Sequence, residues 1–329
     1  MSRSAVVTGG GGFIGSHLTE LLVDKKYQVK VLDNFNSGSL KNLEKVAGKI
    51  EIINQDIKGN LTGIFDGVDF VFHLAGIADI VPSINNPSDY FATNVQGTIN
   101  VLEHSRKSGV GKFVYAASAS CYGMLGDVPF LETTNSAPEY PYALSKLLGE
   151  QCVMHWHKVY RLPVVSLRLF NVYGERSRSN SSYGAVLGVF LTQLVHGYPL
   201  TIIGDGSQSR DFVHVTDVAR AFVMAAESNA SGEIINIGGG KPIPIKYLAN
   251  LISSNQIQIP KRPGEPDVTW ASIEKAEKIL GWEPSVIFEE EISKLILEKE
   301  NWRTAPLWTV KKIENQSQDW YRYLGKENA

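Results

Sequence analysis

The sequence has few cysteines, little excess charge of either sign and no long apolar run. Its 329 residues include two cysteines, Cys121 and Cys152, whose spacing fits no metal site and favours a reducing, cytoplasmic compartment. The net charge of -2 argues against a nucleic-acid-binding surface. No apolar run reaches the ~18 residues of a membrane span, and the first strand begins too early to leave room for a signal peptide. The composition predicts an ordinary globular protein.

A glycine-rich turn lies between an apolar strand and an amphipathic helix near the start of the chain. The strand is predicted at residues 5–7, and four glycines separate it from the helix. Gly9, Gly12 and Gly15 permit a tight turn, the approach of a pyrophosphate and close packing of the helix on the sheet. The free N–H groups of the helix N-terminus then face the phosphates. The pattern predicts dinucleotide binding; the alternative is a structural turn in another doubly wound protein.

An acidic residue follows the second predicted strand, residues 29–32. Asp33 lies about twenty residues after the glycines, where its carboxylate can accept hydrogen bonds from the adenosine ribose. A negative charge there disfavours the 2′-phosphate of NADP, so the predicted cofactor is NAD. After the third strand, residues 50–54, Asp56 suits the exocyclic amine of adenine and Ile57 suits its ring; the alternative for Asp56 is a plain loop acid.

The fourth predicted strand, residues 68–74, ends in small residues. Ala75 and Gly76 let a ligand approach the sheet edge at which doubly wound proteins bind their ligands. His73 is interpreted as a packing histidine. Asn94 lies in a helix predicted over residues 85–108, with or without an early interruption, and either reaches the cofactor site or ties down the next strand.

The fifth predicted strand, residues 112–117, delivers Ser118 to the same edge. Tyr142 and Lys146 stand four residues apart in a helix predicted from Pro141 to about residue 160, so they share one face. A neighbouring ammonium and the positive nicotinamide ring would lower the tyrosine pKa from about 10. Tyr142 is therefore the predicted general base, and Ser118 is predicted to polarise the same substrate oxygen. The alternative is an exposed tyrosine beside a solvated lysine.

These motifs together resemble the extended short-chain dehydrogenase/reductases of the nucleotide-sugar epimerase/dehydratase family. Residues 167–174, 210–217 and 280–282 extend the resemblance to nearly the whole chain. It implies an α/β fold with a Rossmann-type doubly wound parallel sheet and a smaller C-terminal α/β substrate lobe. The expected NAD-binding domain comprises residues 1–170 plus 211–237. The expected nucleotide-sugar lobe, with a C-terminal helical tail, comprises residues 171–210 plus 238–329.

The resemblance also implies roles for individual residues. Arg210 and Arg262 would bind the substrate diphosphate, Glu265 the nucleoside ribose, and Thr269 would leave room for an acetamido group in the sugar pocket. The other expected substrate contacts are Ser118, Ser120, Asn171, Val186, Thr201 and Ile203. The expected NAD contacts are Gly9, Gly12, Phe13, Ile14, Gly15, Asp33, Asn34, Asn36, Ser37, Asp56, Ile57, Leu74, Ala75, Gly76, Asn94, Tyr142 and Lys146.

The turn after Ser118 discriminates among the reactions of the family. Dehydratases and decarboxylases carry an acid at the positions of Ala119 and Ser120, and some other epimerases carry a cysteine at the position of Ser120. Strand alternation would turn Cys121 to the opposite face, so it is interpreted as a packing residue, with a catalytic thiol as the alternative. What remains is the set for C4 epimerisation of UDP-glucose or its N-acetylated counterpart through a 4-keto sugar.

Three alternatives stay open: a nucleotide-sugar reductase, another epimerase or dehydratase of the family, and an inactive NAD-sensing binding protein. The later chain predicts a sixth strand at 163–169, a polar loop at 175–182, a helix at 185–196, a return to the sheet at Arg210, a helix at 217–227 and a last strand at 234–237.

The tail carries Trp302, Trp308 and Trp320 around a helix predicted at 310–324, and these rings must be buried somewhere. The tail packs either on its own lobe or against a second subunit. By resemblance, a homodimer would form through the helices near Asn94 and after Tyr142.

Overall fold

The centre of the molecule is a parallel sheet flanked by helices. The computed structural model describes residues 2–124, 128–177 and 186–325. The strands are β1 Ser4–Thr8, β2 Gln28–Asp33, β3 Ile50–Asn54, β4 Phe70–His73, β5 Lys112–Ser118, β6 Val164–Leu169, β7 Asn171–Tyr173, β8 Leu200–Ile203, β9 Ser209–His214, β10 Glu233–Ile237, β11 Pro242–Pro244 and β12 Gln256–Ile259. The helices are α1 Phe13–Asp24, α2 Pro87–Phe91, α3 Thr98–Lys107, α4 Pro141–Tyr160, α5 Val186–Val195, α6 Val215–Glu227, α7 Ile245–Ile252, α8 Glu274–Leu280, α9 Phe288–Leu297 and α10 Val310–Leu324.

The main sheet has seven strands in the order β10-β6-β5-β4-β1-β2-β3, and each neighbouring pair is parallel. The order reverses beside β1, and such a reversal creates a crevice at the carboxyl ends of the strands. The prediction of a Rossmann-type doubly wound sheet is therefore confirmed.

Each face of this sheet is buried, as its apolar strands require. Ala5 and Val7 of β1 face a core that includes residues of α1 and α6, whereas Val6 faces a second core that includes residues of α3 and α4. The two-residue period of the strand thus divides one short sequence between two cores. Tyr115 of β5 belongs to the second core, which places it beneath α4.

The predicted return of the chain to the main sheet at Arg210 is wrong. Arg210 lies in β9, which pairs with β7 and β11 in a separate three-stranded sheet. In the main sheet, β10 occupies the edge beside β6. The polar loop predicted at 175–182, and the first residue of the helix predicted at 185–196, fall partly or wholly outside the described residues.

The tail packs on its own chain. Trp302 is buried in the core of the smaller lobe with α5, α7 and α9, and Ile313 of α10 packs on Val189 and Ile259. Trp320 is 1% exposed and contacts Tyr140, the residue that precedes α4. The helix therefore touches both the lobe and the residue before α4, so the contacts seen here are those of packing on its own lobe and extend beyond that lobe. Within the residues that the structure describes, no helix is both long and apolar enough to cross a membrane.

Candidate active site

The glycine turn forms a cradle with no room for side chains. Gly9 has a φ of +71°, and a Cβ there would lie 2.7 Å from the nitrogen of Ala75 at the end of the neighbouring strand. A Cβ at Gly15 would overlap the carbonyl oxygen of Gly9. Three segments thus meet at one edge of the sheet: the glycine turn, the start of α1 with Phe13 and Ile14, and residues 74–76.

Asp33 ends β2 and organises the loop beside the glycine turn. One carboxylate oxygen accepts a hydrogen bond from the Gly11 N–H at 2.9 Å, and the other accepts one from the Phe35 N–H at 2.8 Å. The side chain is 7% exposed, so the negative charge is held at a fixed place near the N-terminus of α1. A fixed carboxylate in this position can receive ribose hydroxyls, as the sequence predicts.

The residues predicted to surround adenine, Asp56 and Ile57, follow the end of β3 at the same edge of the sheet. Asp56 accepts hydrogen bonds from the Asn34 side-chain amide at 3.0 Å and from the Lys58 N–H at 2.8 Å. Ile57 is buried against Gly97 and belongs to the core under α3. Asn36 and Ser37 lie exposed in the loop that follows Asn34.

Asn94 lies on a π-helical turn, Ala92–Gly97, which interrupts the predicted long helix between α2 and α3. Its side-chain amide donates to the Ile77 carbonyl at 3.0 Å and to the Ser145 hydroxyl at 2.9 Å, and its oxygen accepts from the Ile77 N–H at 2.9 Å. Asn94 therefore ties the segment after β4 to α4. These hydrogen bonds do not reach the next strand, β5, which was one of the two predicted roles, and the predicted contact with the cofactor stays a prediction.

His73 is a packing residue, as predicted. It is fully buried, and its two ring nitrogens are within 2.7 Å and 2.9 Å of the hydroxyls of Thr8 and Thr98. Burial lowers its pKa to about 3, and the charge of Lys146 acts in the same direction. The imidazole is thus neutral and links β1, β4 and α3.

The turn after β5 presents hydroxyls to the edge of the sheet. Ser118 is 8% exposed, and its hydroxyl oxygen accepts a hydrogen bond from the Ser120 N–H at 3.2 Å. Cys121 packs with Tyr122 and Phe130, and burial raises its thiol pKa to about 11. The interpretation of Cys121 as a packing residue is confirmed. The expected reason, strand alternation, is wrong because Cys121 lies on a 3₁₀ turn, Ala119–Tyr122.

Tyr142 and Lys146 occupy the first turns of α4, and both are nearly buried at 9% and 8% exposure. The Lys146 amine lies over the Tyr115 ring, 4.4 Å from its centre. Burial lowers the Lys146 pKa to about 7, and Glu150 acts in the opposite direction. The alternative of an exposed tyrosine beside a solvated lysine does not hold. With a pKa near 7, Lys146 can exchange between ammonium and amine close to neutral pH, and its ammonium form acts strongly on neighbouring groups because little water screens it.

Two arginines predicted to bind substrate share one carboxylate. Arg262 forms an ion pair with Glu265 at 2.6 Å, and the Arg210 side chain donates to the Pro266 carbonyl at 2.8 Å. Burial lowers the Arg210 pKa; Glu265 acts in the opposite direction, whereas the charge of Arg262 lowers the Arg210 pKa further. Asp267 also raises the Arg210 pKa. Two partly buried guanidinium groups side by side would be favourable partners for an anionic ligand.

The remaining predicted substrate residues divide into two groups. Asn171 and Thr269 meet, because the Thr269 hydroxyl is 3.3 Å from the Asn171 side-chain oxygen. Thr201 is 3% exposed and bonded to Gln193 at 2.9 Å inside the lobe, while Ile203 packs beside Val189. Val186 begins α5.

Sequence reasoning did not single out the aromatic residues around the catalytic helix. Tyr115 lies under Lys146, and Tyr140 is parallel to Tyr142 with ring centres 6.5 Å apart. Burial raises the Tyr140 pKa, while a hydrogen bond with Ser120 acts in the opposite direction. The available signals were the tyrosine in an apolar strand three residues before Ser118, and the Tyr140-Pro141-Tyr142 repeat at the start of the helix.

The Cβ-free cradle, the fixed carboxylate and the α1 N-terminus fit a dinucleotide such as NAD. Comparison with known proteins gives the same assignment, since residues 5–238 match the NAD dependent epimerase/dehydratase family. The chain belongs to this family. The predicted resemblance, the enzyme class and the NAD cofactor are thereby confirmed.

Solved structures of family members match almost the whole chain. One is a UDP-N-acetylglucosamine 4-epimerase from Methanobrevibacter ruminantium M1 in complex with UDP-N-acetylmuramic acid, at 32% identity and a TM-score of 0.86, covering 90% of this chain and 97% of that chain. A second is a Thermotoga maritima UDP-glucose 4-epimerase with UDP-glucose, at 33% identity, a TM-score of 0.85 and coverages of 91% and 99%. A third is a Bacillus cereus UDP-glucuronic acid 4-epimerase with UDP-glucuronic acid and NAD, at 31% identity, a TM-score of 0.84 and coverages of 91% and 99%.

Proposed function

We propose that this enzyme inverts C4 of a UDP-linked sugar, either the UDP-glucose/UDP-galactose pair or its N-acetylated counterpart, through a 4-keto intermediate. The turn after β5 carries the proposal. It offers the hydroxyls of Ser118 and Ser120, while the thiol of Cys121 is buried in a core with a raised pKa. A turn without a site-facing acid or thiol suits oxidation and reduction of one carbon rather than elimination or proton abstraction at neighbouring carbons.

The residues around the crevice would hold NAD from three sides. The Gly9–Gly15 turn would receive the pyrophosphate, Asp33 the adenosine ribose, and Tyr142 and Lys146 the nicotinamide riboside. Bound NAD would accept a hydride from C4 and later return it to the same carbon. The protein must then keep the cofactor in place throughout a turnover, and the tight glycine packing supports this.

The catalytic residues would move a proton at the sugar 4-hydroxyl. Tyr142 takes the proton as general base, and Ser118 donates a hydrogen bond to the same sugar oxygen. The Lys146 ammonium stabilises the phenolate, since a cation in a dry site lowers the pKa of a neighbouring acid. When the keto group is reduced, Tyr142 returns the proton to the oxygen at C4.

Inversion also requires a firmly held nucleotide and a sugar that can turn. Arg210 and Arg262 offer guanidinium groups for a diphosphate, and Glu265 is placed beside them for a ribose. The sugar side offers Asn171 and Thr269, which are neutral. This division of charge supports strong binding of the nucleotide and weak binding of the sugar ring. Three structural neighbours with bound UDP-sugars add support for a uridine nucleotide.

A panel of nucleotide sugars followed by proton NMR tests the proposal. We expect inversion at C4 of UDP-glucose or UDP-N-acetylglucosamine, with no net formation of NADH. Tyr142→Phe should lower kcat about 10²–10⁴-fold, because that is the usual contribution of general acid–base catalysis. The variant should still retain NAD. Tyr160→Phe, at the other end of α4, is the matched control and should keep wild-type activity. Net reduction, inversion at another carbon or loss of water would contradict the proposal, and an unaffected Tyr142→Phe enzyme would contradict the mechanism.

We also propose that the enzyme is a homodimer formed through α3 and α4. These helices pack side by side, and α4 leaves Leu144, Val159 and Tyr160 exposed at 38%, 50% and 47%. Light scattering after size-exclusion chromatography should give twice the mass of 36.2 kDa. Charged replacements of Val159 and Tyr160 should give the monomer mass.

A further inference from the structure

The C-terminal helix α10 joins the two parts of the site that the proposed function assigns to catalysis and to nucleotide binding. Trp320, near its end, is 1% exposed. On one side its ring lies 5.2 Å from the ring of Tyr140, at an angle of 50°. On the other side its indole N–H donates a 2.7 Å hydrogen bond to the carbonyl of Pro263.

The Tyr140 contact leads directly to the catalytic helix. Tyr140 is the residue before α4, and its carbonyl accepts the backbone hydrogen bond of Leu144 at 3.1 Å. Its ring is parallel to that of Tyr142, and its hydroxyl is hydrogen-bonded to Ser120. A shift of Tyr140 would therefore move the start of α4 and the position of the general base.

The Pro263 contact leads to the arginine and the glutamate proposed to hold the nucleotide. Pro263 follows Arg262 directly and precedes Glu265 by two residues. The Tyr321 hydroxyl adds a 3.4 Å contact to the Pro260 carbonyl, and Leu324 packs on Gly264. A cavity of about 440 Å³ has Arg262 in one wall and α10 in another.

We propose that Trp320 is a positioning residue that fixes the nucleotide-binding segment, residues 260–265, relative to the catalytic tyrosine. It acts through its contacts with Tyr140 and Pro263. A tryptophan suits this position because its indole supplies both an aromatic face for Tyr140 and a hydrogen-bond donor for the Pro263 carbonyl. The inference deepens the proposed function, on which it rests.

Trp320→Leu removes both contacts, and Trp320→Phe removes only the hydrogen bond to Pro263. Trp302→Leu is the matched control, because Trp302 is a second buried tryptophan of the tail that lies in the core of the lobe. We expect Trp320→Leu to weaken UDP binding and to lower kcat, each by about tenfold or more, since small misplacements of a catalytic group are costly. NAD content should stay at the wild-type level. Trp320→Phe should recover most of kcat and only part of the affinity for UDP.

Two results would overturn the inference. One is an equal loss of kcat and of UDP affinity in Trp320→Leu and Trp302→Leu, with both variants assayed at a temperature where thermal denaturation shows them to be folded. The other comes from hydrogen exchange on the ligand-free proteins, which needs no substrate. The amides of residues 261–269 and 142–146 should exchange faster in Trp320→Leu than in Trp302→Leu, and equal rates would show that Trp320 does not hold these segments. If the wild-type enzyme bound no nucleotide sugar, the proposed function would fail, and hydrogen exchange would still decide the role of Trp320.

Discussion

The amine of Lys146 lies 4.4 Å from the centre of the Tyr115 ring, between the helix α4 and the strand β5 beneath it. An aromatic face stabilises a cation by its negative quadrupole, and here it partly replaces the water that burial removes. The pKa of Lys146 is nevertheless lowered from 10.5 to about 7, so burial outweighs this stabilisation. The lysine is a costly residue for the fold, which is expected of a group retained for chemistry.

Replacement of Lys146 by Met should stabilise the cofactor-free protein at pH 7. The unfolded chain titrates this amine near 10.5 and the folded chain near 7, so between these values the unfolded chain binds the additional proton. The free energy of unfolding of the wild type therefore rises as the pH increases from about 7 to 10.5. Below pH 7 the full cost of burying this amine is present. We expect a Tm increase of roughly 2–5 °C at pH 7, which shrinks toward zero as the pH approaches 10.

Thermal denaturation of both proteins at pH 7 and pH 9.5 measures this difference. The variant should also have lost turnover, because the phenolate of Tyr142 would no longer be stabilised. The variant could instead have a lower Tm than the wild type at pH 7, or the same Tm difference at pH 7 and pH 9.5. Either result would contradict a destabilising, buried Lys146 amine.

Gly15→Ala should abolish retention of NAD. The new Cβ would overlap the carbonyl oxygen of Gly9 and lie 2.8 Å from the Gly10 Cα, so the turn must open. Gly48→Ala is the matched control, because a Cβ there meets no atom within 4 Å. The NAD content of the purified proteins, read from absorbance after release of the cofactor, should fall about tenfold or more in the first variant. Equal NAD content in both variants would show that the turn is not the pyrophosphate site.

Asn94→Ala should lower the free energy of unfolding by about 2–3 kcal/mol, because buried partners lose their hydrogen bonds. The variant leaves the Ile77 N–H and carbonyl and the Ser145 hydroxyl without the amide that now binds them. Ser145→Ala removes one of these bonds together with the 2.8 Å bond that the Ser145 hydroxyl donates to the Tyr142 carbonyl, and should cost less than Asn94→Ala. Denaturant titration of the two variants provides the measurement. A larger effect of Ser145→Ala would indicate that the contact with Ile77 contributes little.

Thr269→Tyr tests the size of the sugar pocket within the proposed function. The larger ring would fill the space next to Asn171, whose side-chain oxygen is now 3.3 Å from the threonine hydroxyl. We expect kcat/KM for UDP-N-acetylglucosamine to fall by about 10²-fold, with a much smaller change for UDP-glucose. Thr269→Val keeps the volume and should leave the ratio of the two substrates unchanged. An equal loss for both substrates would place Thr269 outside the part of the pocket that receives the acetamido group.

The parts of the fold that the sequence predicted are those with local signals. The apolar strands before Asp33 and before Ser118 end within one or two residues of the predicted positions, and α10 was predicted at its observed bounds. The predicted return of the chain to the main sheet at Arg210 was wrong, because nothing in a segment's own residues identifies the strand with which it pairs.

The candidate site was predictable to the extent that its residues follow strand ends or share a helix face. Ser118, Tyr142 and Lys146 meet these conditions. The contact of Trp320 with Tyr140 joins residues 180 positions apart, and the contact is not encoded in either local pattern. Tyr115 was missed for a related reason: an aromatic residue in a core strand has the same sequence pattern whether or not a lysine lies over it.

The π-helical turn at Ala92–Gly97 has a consequence for how this region tolerates insertions and deletions. A π turn contains one residue more than the corresponding α-helical turn, and this extra residue lets Asn94 face the end of β4. Deleting a single residue here would restore a regular α-helix and leave the facing of α2 and α3 unchanged, because the π turn absorbs the extra residue locally. The loss should therefore be confined to the turn, where Asn94 would no longer face Ile77.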